Sequence, residues 1–342
     1  MGVPSHGSSG LSSIWTPRSF LLLLLGTSLV TPSVYQPVLD SLYASLRQSS
    51  LFTASTFETW WTVIIYAIIE VTYTYRFARN PQLRLANHAN HGTASPKPIP
   101  KMRRPKHRMV EGLTYISPLL LLDLTLIKKY AGVPVQDMVL SGNYHLSSVT
   151  KTIHGTFLAP TLHNFTLSSP LQTRRAVPTA PPTSRELVLQ LVTSLFIYDT
   201  LFFAFHLSLH HPKFASIHSQ HHNHREINPQ ITNQLDIFER LGLVLLANFS
   251  LNIIGSHVLT RTIFVLIFVW LLVDIHSGMD LKWGYDKILP PGWASGSKRH
   301  SIHHRVGNRY YAPFFNWWDD MHEWICKRRV DRGGLAVASE ST

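Results

Sequence analysis

Residues 187–222 read LVLQLVTSLFIYDTLFFAFHLSLHHPKFASIHSQHH, an apolar stretch of helical length that runs straight into histidines. Its first half, 187–205, carries a single charged residue, Asp199, and is long enough to cross a bilayer as a helix. His206-Leu207-Ser208-Leu209-His210 follows with H-x-x-x-H spacing, then His218-Ser219-Gln220-His221-His222 with H-x-x-H-H spacing. Residues three and four apart on a helix share a face, so each stretch presents its imidazoles together. His300-Ser301-Ile302-His303-His304 repeats the H-x-x-H-H spacing after the next pair of apolar runs. The fold expected from this is all-α: a polytopic membrane helical bundle with a cytosolic, histidine-rich helical cap.

Working outward, 57–75 reads as a membrane helix with Trp60 and Trp61 near one interface and Tyr73 and Tyr75 near the other. Residues 76–108 hold nine Lys/Arg and no Asp/Glu, which places that loop in the cytosol by the positive-inside rule. A further apolar run spans 113–127. Residues 241–254 and 258–275 form an apolar pair around Gly255-Ser256, read as a hairpin that returns the chain to the side of the earlier histidines. Residues 1–18 are rich in Ser and Gly and read as disordered, and the run 20–30 reads as a signal-peptide core or, in preference, an anchor that includes 31–39. Residues 141–184 read as a Ser/Thr/Pro-rich loop, in which Asn164-Phe165-Thr166 matches a glycosylation sequon, a match that chance alone often produces. The chain divides into 1–50, a tail and candidate anchor; 51–186, spans with basic and Ser/Thr/Pro-rich loops; 187–325, the histidine-bearing domain; and 326–342, a polar tail beginning around Glu323.

The composition narrows the chemistry. Lys and Arg outnumber Asp and Glu by 31 to 19 in 342 residues, and the basic residues cluster beside apolar runs, which suits an anionic membrane surface and not a nucleic acid. Cys326 is the only cysteine, so neither an intrachain disulfide nor a thiolate zinc cage can form. Any metal must sit on nitrogen and oxygen. One H-x-x-x-H is weak evidence and usually marks solvated or packed histidines. Three such clusters at the ends of apolar spans are much harder to obtain by chance, because polar groups beside a bilayer are costly. Imidazole suits Zn, Cu, Fe and Ni, and a closed zinc site takes four ligands, so eight imidazoles imply two metals. A binuclear iron centre can bind O2 and attack an unactivated C–H bond, with the metal carrying the chemistry.

Residues 187–324 resemble the fatty acid hydroxylase/sterol desaturase superfamily, whose pattern is H-x-x-x-H, H-x-x-H-H and H-x-x-H-H. Asp199 fits the acidic position before the first cluster and Glu239 the one after the second. His276-Ser277-Gly278-Met279-Asp280, Asn308 and Trp318-Asp319 are similar to further family segments. The resemblance implies that His206, His210, His218, His221, His222, His300, His303 and His304 ligate two Fe ions in a non-haem di-iron centre, with His276 as a ninth ligand. It also implies supporting roles for Asp199, Asp280 and Asp319. His211 and His224 read as surface residues or as partners that orient a ligand. His88, His91, His107, His145, His154, His163, His257 and His322 lack cluster spacing and read as non-ligands. The sequence departs from the family at Leu207, where Arg is common, and after Trp318-Asp319.

The implied activity is an O2-dependent hydroxylase or desaturase acting on a lipid-like substrate: sterol, fatty acyl, terpenoid or polyketide. Electrons would come from a separate donor, cytochrome b5 or a similar reductase chain. The implied membrane is that of the endoplasmic reticulum, with the histidines facing the cytosol. The same centre could instead cleave an ether or oxidise a methyl group to an acid. Two readings from other classes stand beside it: a histidine-rich membrane metal transporter, and a non-catalytic relative that binds lipid. A transporter should carry polar residues along a path within its spans; here the histidines gather at span ends.

Overall fold

The computed structural model describes residues 11–85, 108–146, 158–223 and 226–339. The readings that fall on residues 1–10, on 86–107 of the basic loop, and on His88, His91, His107, His154 and His224 lie outside the described residues. Among the described residues all regular structure is helical, with only isolated bridges such as Arg84 to Met279. The α-helices are α1 (Leu11–Val30), α2 (Gln36–Gln48), α3 (Ser50–Thr53), α4 (Phe57–Arg79), α5 (Arg108–Thr125), α6 (Val135–Ser141) and α7 (Ser184–Leu209). They continue with α8 (Ala215–His222), α9 (Ile237–Ile253), α10 (Val258–Ile275), α11 (Tyr285–Ile288), α12 (Gly296–Val306) and α13 (Trp317–Ser339).

Local chemistry sets the ends of the long helices. Thr183 opens α7 with a capping box: its hydroxyl accepts the Glu186 N–H at 3.2 Å while Glu186 Oε2 accepts the Thr183 N–H at 2.8 Å. Asp236 caps α9 by accepting the Phe238 N–H, and His257 Nδ1 caps α10 by accepting the Leu259 N–H. The expected α9–α10 hairpin forms, with Gly255 at positive φ in its turn.

α4 and α10 run side by side in the same direction. Trp61 Nε1 donates to Thr262 O at 2.9 Å near one end, and Tyr73 OH donates to Asp274 Oδ1 at 2.8 Å near the other. Between these contacts Ile65 packs on Val269 and Val273. α7 closes the bundle through Leu191, Leu251 and Phe264, and through Tyr198, Phe202 and Leu271. α5 reaches α4 where Thr59 Oγ1 donates to Asp123 Oδ2 at 2.6 Å. The helices therefore carry the chain between two ends: one holding His206 and His276, the other Glu58, Asp123 and Arg261.

α7 and α10 are the two helices, among the described residues, long and apolar enough to cross a membrane; the apolar parts of α1 and α5 are shorter. Leu189, Val192 and Phe196 on α7, and Ile64, Ile68 and Val71 on α4, lie exposed at helical spacing. That outward apolar surface matches a bundle wrapped in lipid. α4 has the length expected of a span but carries Glu58 and Glu70 within it.

Two sequence expectations need correction. Helix α1 already starts at Leu11, inside the segment read as disordered. The anchor does not continue through residues 31–39: the helix stops at Val30, and Pro32 opens a short 3-10 turn before α2. The polar segment from Glu323 onward is helical, as α13 runs through it to Ser339.

Candidate metal centre and cleft

The nine imidazoles that the family resemblance nominated gather into two adjoining groups. His206, His210, His218, His222 and His303 form the first, and His221, His276, His300 and His304 the second; within each, the candidate ligand atoms all lie within 4.8 Å of one another. Seven of these rings are buried; His210 and His222 are half-buried. The groups touch through His222 and His304, whose rings stack 4.8 Å apart, and through His218 and His221, whose rings are 5.3 Å apart.

The distribution follows helix geometry in a way the spacing alone does not reveal. On α8 the i and i+4 residues, His218 and His222, enter the first group, while the i+3 residue, His221, crosses to the second. On α12 the order is reversed: His300 and His304 enter the second group and His303 crosses to the first. Residues four apart point nearly the same way and meet at one centre, whereas i+3 is rotated to the neighbouring side. Two helices facing each other with this offset interleave two sites. His206 and His210, at the end of α7, complete the first group; His276, just past α10, completes the second.

Backbone carbonyls and one carboxylate fix the rings. His206 Nδ1 donates to Tyr311 O and His303 Nδ1 to Arg309 O, both at 2.7 Å; His276 Nδ1 donates to Leu272 O at 2.8 Å and His221 Nδ1 to Gln234 O at 3.3 Å. His218 Nδ1 lies 2.7 Å from Glu239 Oε1. A carbonyl has no proton to give, so in their neutral form these four rings carry hydrogen on Nδ1 and a bare lone pair on Nε2. Burial, aided by neighbouring imidazoles, holds His210 and His276 down to about 4 and His218 to about 2, and drives His221, His300, His303 and His304 well below the usual imidazole value. The rings are thus neutral at pH 7.

This arrangement tests whether the residues fit metal ions. His206 Nε2 faces His303 Nε2 at 3.1 Å, and His221 Nε2 faces His276 Nε2 at 3.3 Å. Each contact sets lone pair against lone pair, which is repulsive unless a cation shares both. Nitrogens bound at right angles to one metal, at about 2.1 Å each, stand about 3.0 Å apart. Each group contains one such pair, so each fits a cation.

The aspartates behave differently from one another. Asp199 accepts the N–H groups of Phe314 and Phe315 at 2.9 and 3.2 Å, and Asp319 accepts those of Tyr311 and Ala312. Both therefore grip the loop that holds the Tyr311 carbonyl against His206, without touching an imidazole themselves. Asp280 is not brought to the centre: it is half-exposed and pairs with Lys287. His211 is in neither group, and of the histidines read as non-ligands, the described His145, His163, His257 and His322 are in neither. Tyr311, Arg309, Leu272 and Gln234 had no side-chain signal to find, because each acts through its carbonyl; Glu239 was legible as the acidic position after the second histidine cluster.

A cleft enclosing about 1210 Å³ of empty space, open solvent included, starts at His206, His218, His221, His276 and His300. Its middle is lined by Phe202, Leu243, Phe264, Phe268 and Leu272, and its far end by Glu58, Asp123, Lys128 and Arg261.

Part of the chain is similar to known proteins. Residues 191–323 match the family described as fatty acid hydroxylase. Cholesterol 25-hydroxylase from Rattus norvegicus is 31% identical over 148 residues, which cover 42% of this chain and 49% of that protein. A putative methylsterol monooxygenase from Dictyostelium discoideum is 31% identical over 162 residues, 44% of this chain and 55% of that protein. A methylsterol monooxygenase from Aspergillus fumigatus is 28% identical over 166 residues, 44% of this chain and 53% of that protein. The chain spans about half the length of the curated relatives it matches. No solved structure matches it.

Proposed function

We propose, from the premise that residues 191–323 are a fatty acid hydroxylase domain of the fatty acid hydroxylase/sterol desaturase superfamily, that this membrane protein is an O2-dependent oxidoreductase acting on a lipid-like substrate. The observation that carries this reading is the meeting of two imidazole groups with the mouth of an apolar cleft. The nine histidines would hold two iron ions, one per group, with Asp199 and Asp319 supporting the first group through the 311–316 loop and Glu239 through His218. Bound there, an iron pair supplies reduction of O2 by externally delivered electrons and attack on an unactivated C–H bond. Hydroxylation balances as R–H, O2, two electrons and two protons giving R–OH and water; desaturation consumes the same inputs and releases a second water in place of the alcohol.

The chain's own residues do the rest. Phe202, Phe264, Phe268 and Leu272 line the cleft with apolar surface, exclude water and hold an apolar substrate beside the imidazoles. The carbonyls of Tyr311, Arg309, Leu272 and Gln234 keep the proton of each ring on Nδ1 and leave Nε2 free to bind. Glu239 orients the His218 ring through its Nδ1. Electrons would come from a separate donor such as cytochrome b5, with the histidines on the cytosolic face of the endoplasmic reticulum. The basic segment after α4 supports that orientation, because α4 and α10 run in the same direction and α10 ends at His276. An apolar cleft suits a lipid better than an ion in transit, which sets this reading above a transporter.

The test is turnover by the purified full chain with reductant, isotopically labelled O2 and candidate lipids. Label in an alcohol product, with O2 consumption lost in His221→Ala, is the expected result. Tightly held zinc, with no O2 consumed in the presence of iron and reductant, would overturn it.

A further inference from the structure

The far end of the cleft is charged, and the charges do not balance. Arg261 donates to Glu58 at 3.1 and 3.2 Å and to Asn248 Oδ1 at 2.7 Å. Arg175 donates to the same Glu58 at 3.0 Å, and Lys128 pairs with Asp123 and lies 4.0 Å from Glu58. Three cations thus stand against two carboxylates. Burying an excess charge is costly unless something answers it.

The surplus lies with Lys128. The Arg175 side chain is fully enclosed and Arg261 is 6% exposed, whereas Lys128 is 17% exposed and lines the cleft. An ammonium has three donors, and among the described residues Lys128 directs one hydrogen bond, to Asp123. A cluster that only bolted α4 to α10 would have no reason to open onto an apolar cleft. Arg261 and His276 sit fifteen residues apart along and just beyond α10, so the charged end lies roughly 20 Å from the imidazoles.

We propose that the cleft receives a long apolar acid, with its carboxylate held by Lys128 beside Arg261 and its opposite, apolar end against the imidazoles. The carbon attacked is then remote from the substrate's polar group. The site of attack rests on the oxygenase reading; the way the acid is held does not.

Binding to the full chain in micelles, with no O2 or reductant, tests the proposal. Radiolabelled hexadecanoic acid should bind about tenfold tighter than its methyl ester or hexadecan-1-ol, as expected of a charge-assisted contact. Lys128→Gln should abolish that preference and Lys128→Arg should keep most of it. A second measurement needs no variant: bound acid should shield Lys128 from acetylation, read by mass spectrometry, and the ester should not. Equal binding of acid, ester and alcohol, an acid preference that survives Lys128→Gln, or a Lys128 modified equally with and without acid would overturn the proposal. A tighter grip on the alcohol would assign the cleft to a hydroxyl-ended lipid instead. None of these readouts depends on turnover, so a failure here leaves the oxygenase reading standing, and an inactive protein leaves this binding testable.

Discussion

His206 and His303 hold their Nε2 atoms 3.1 Å apart while each ring donates from Nδ1 to a backbone carbonyl. Two lone pairs are thereby pressed together inside the protein, a geometry stable only around a shared cation. His221 and His276 repeat the relationship in the second group.

The crossing of the i+3 histidines puts neighbouring residues in different imidazole groups. Ala at His303 removes a ligand from the first group and Ala at His304 removes one from the second. Each variant should hold close to one iron per chain instead of two, and the iron lost should differ. Metal analysis with Mössbauer spectroscopy of the two variants would show two distinct residual spectra.

The loop gripped by Asp199 and Asp319 should matter to iron binding, although both carboxylates bond to backbone N–H groups. Asp319→Ala frees the Tyr311 and Ala312 N–H groups and loosens the carbonyl behind His206. Iron affinity should fall about 10- to 100-fold, the usual effect of losing a group that orients a ligand. Asp280→Ala removes only a half-exposed pair with Lys287, worth about 0–1 kcal/mol, and should leave iron binding unchanged. Competition with a chelator measures both.

Much of this could be read from the residues in order. The runs at 187–205 and 258–275 became α7 and α10, because composition and capping agree over the whole length of each. The histidine spacings announced helical clusters, but not that each H-x-x-H-H is shared between two groups; that depends on how α8 and α12 face each other, a long-range matter. The ring-orienting groups were hidden because backbone carbonyls leave no mark in the sequence. The charged end of the cleft was hidden too, since Glu58, Asp123 and Arg261 are far apart in the chain and come together only when α4, α5 and α10 pack. The start of α1 at Leu11 ran against a Ser/Gly-rich composition that suggested coil.

Gly278 sits at a φ of 65°, and a Cβ there would collide with the Ile227 carbonyl oxygen. Gly278→Ala should destabilise the protein by more than about 1 kcal/mol and displace His276 two residues before it. Thermal unfolding should show the loss, and iron in the second group should fall with it.

Filling the cleft should separate substrate binding from metal binding. Leu243 lines the cleft and is not one of the candidate ligands. Leu243→Trp is expected to retain both irons and lose turnover of long substrates at least about tenfold, the effect of a misfit of 1.4 kcal/mol or more. Iron content and initial rates, measured on the same preparation, check the split.

The most direct measurement is an anomalous-scattering map of the iron-loaded protein recorded at the iron edge. Two peaks are expected, one enclosed by His206, His210, His218, His222 and His303 and the other by His221, His276, His300 and His304. A single peak, or two peaks lying outside these groups, would contradict the paired centre.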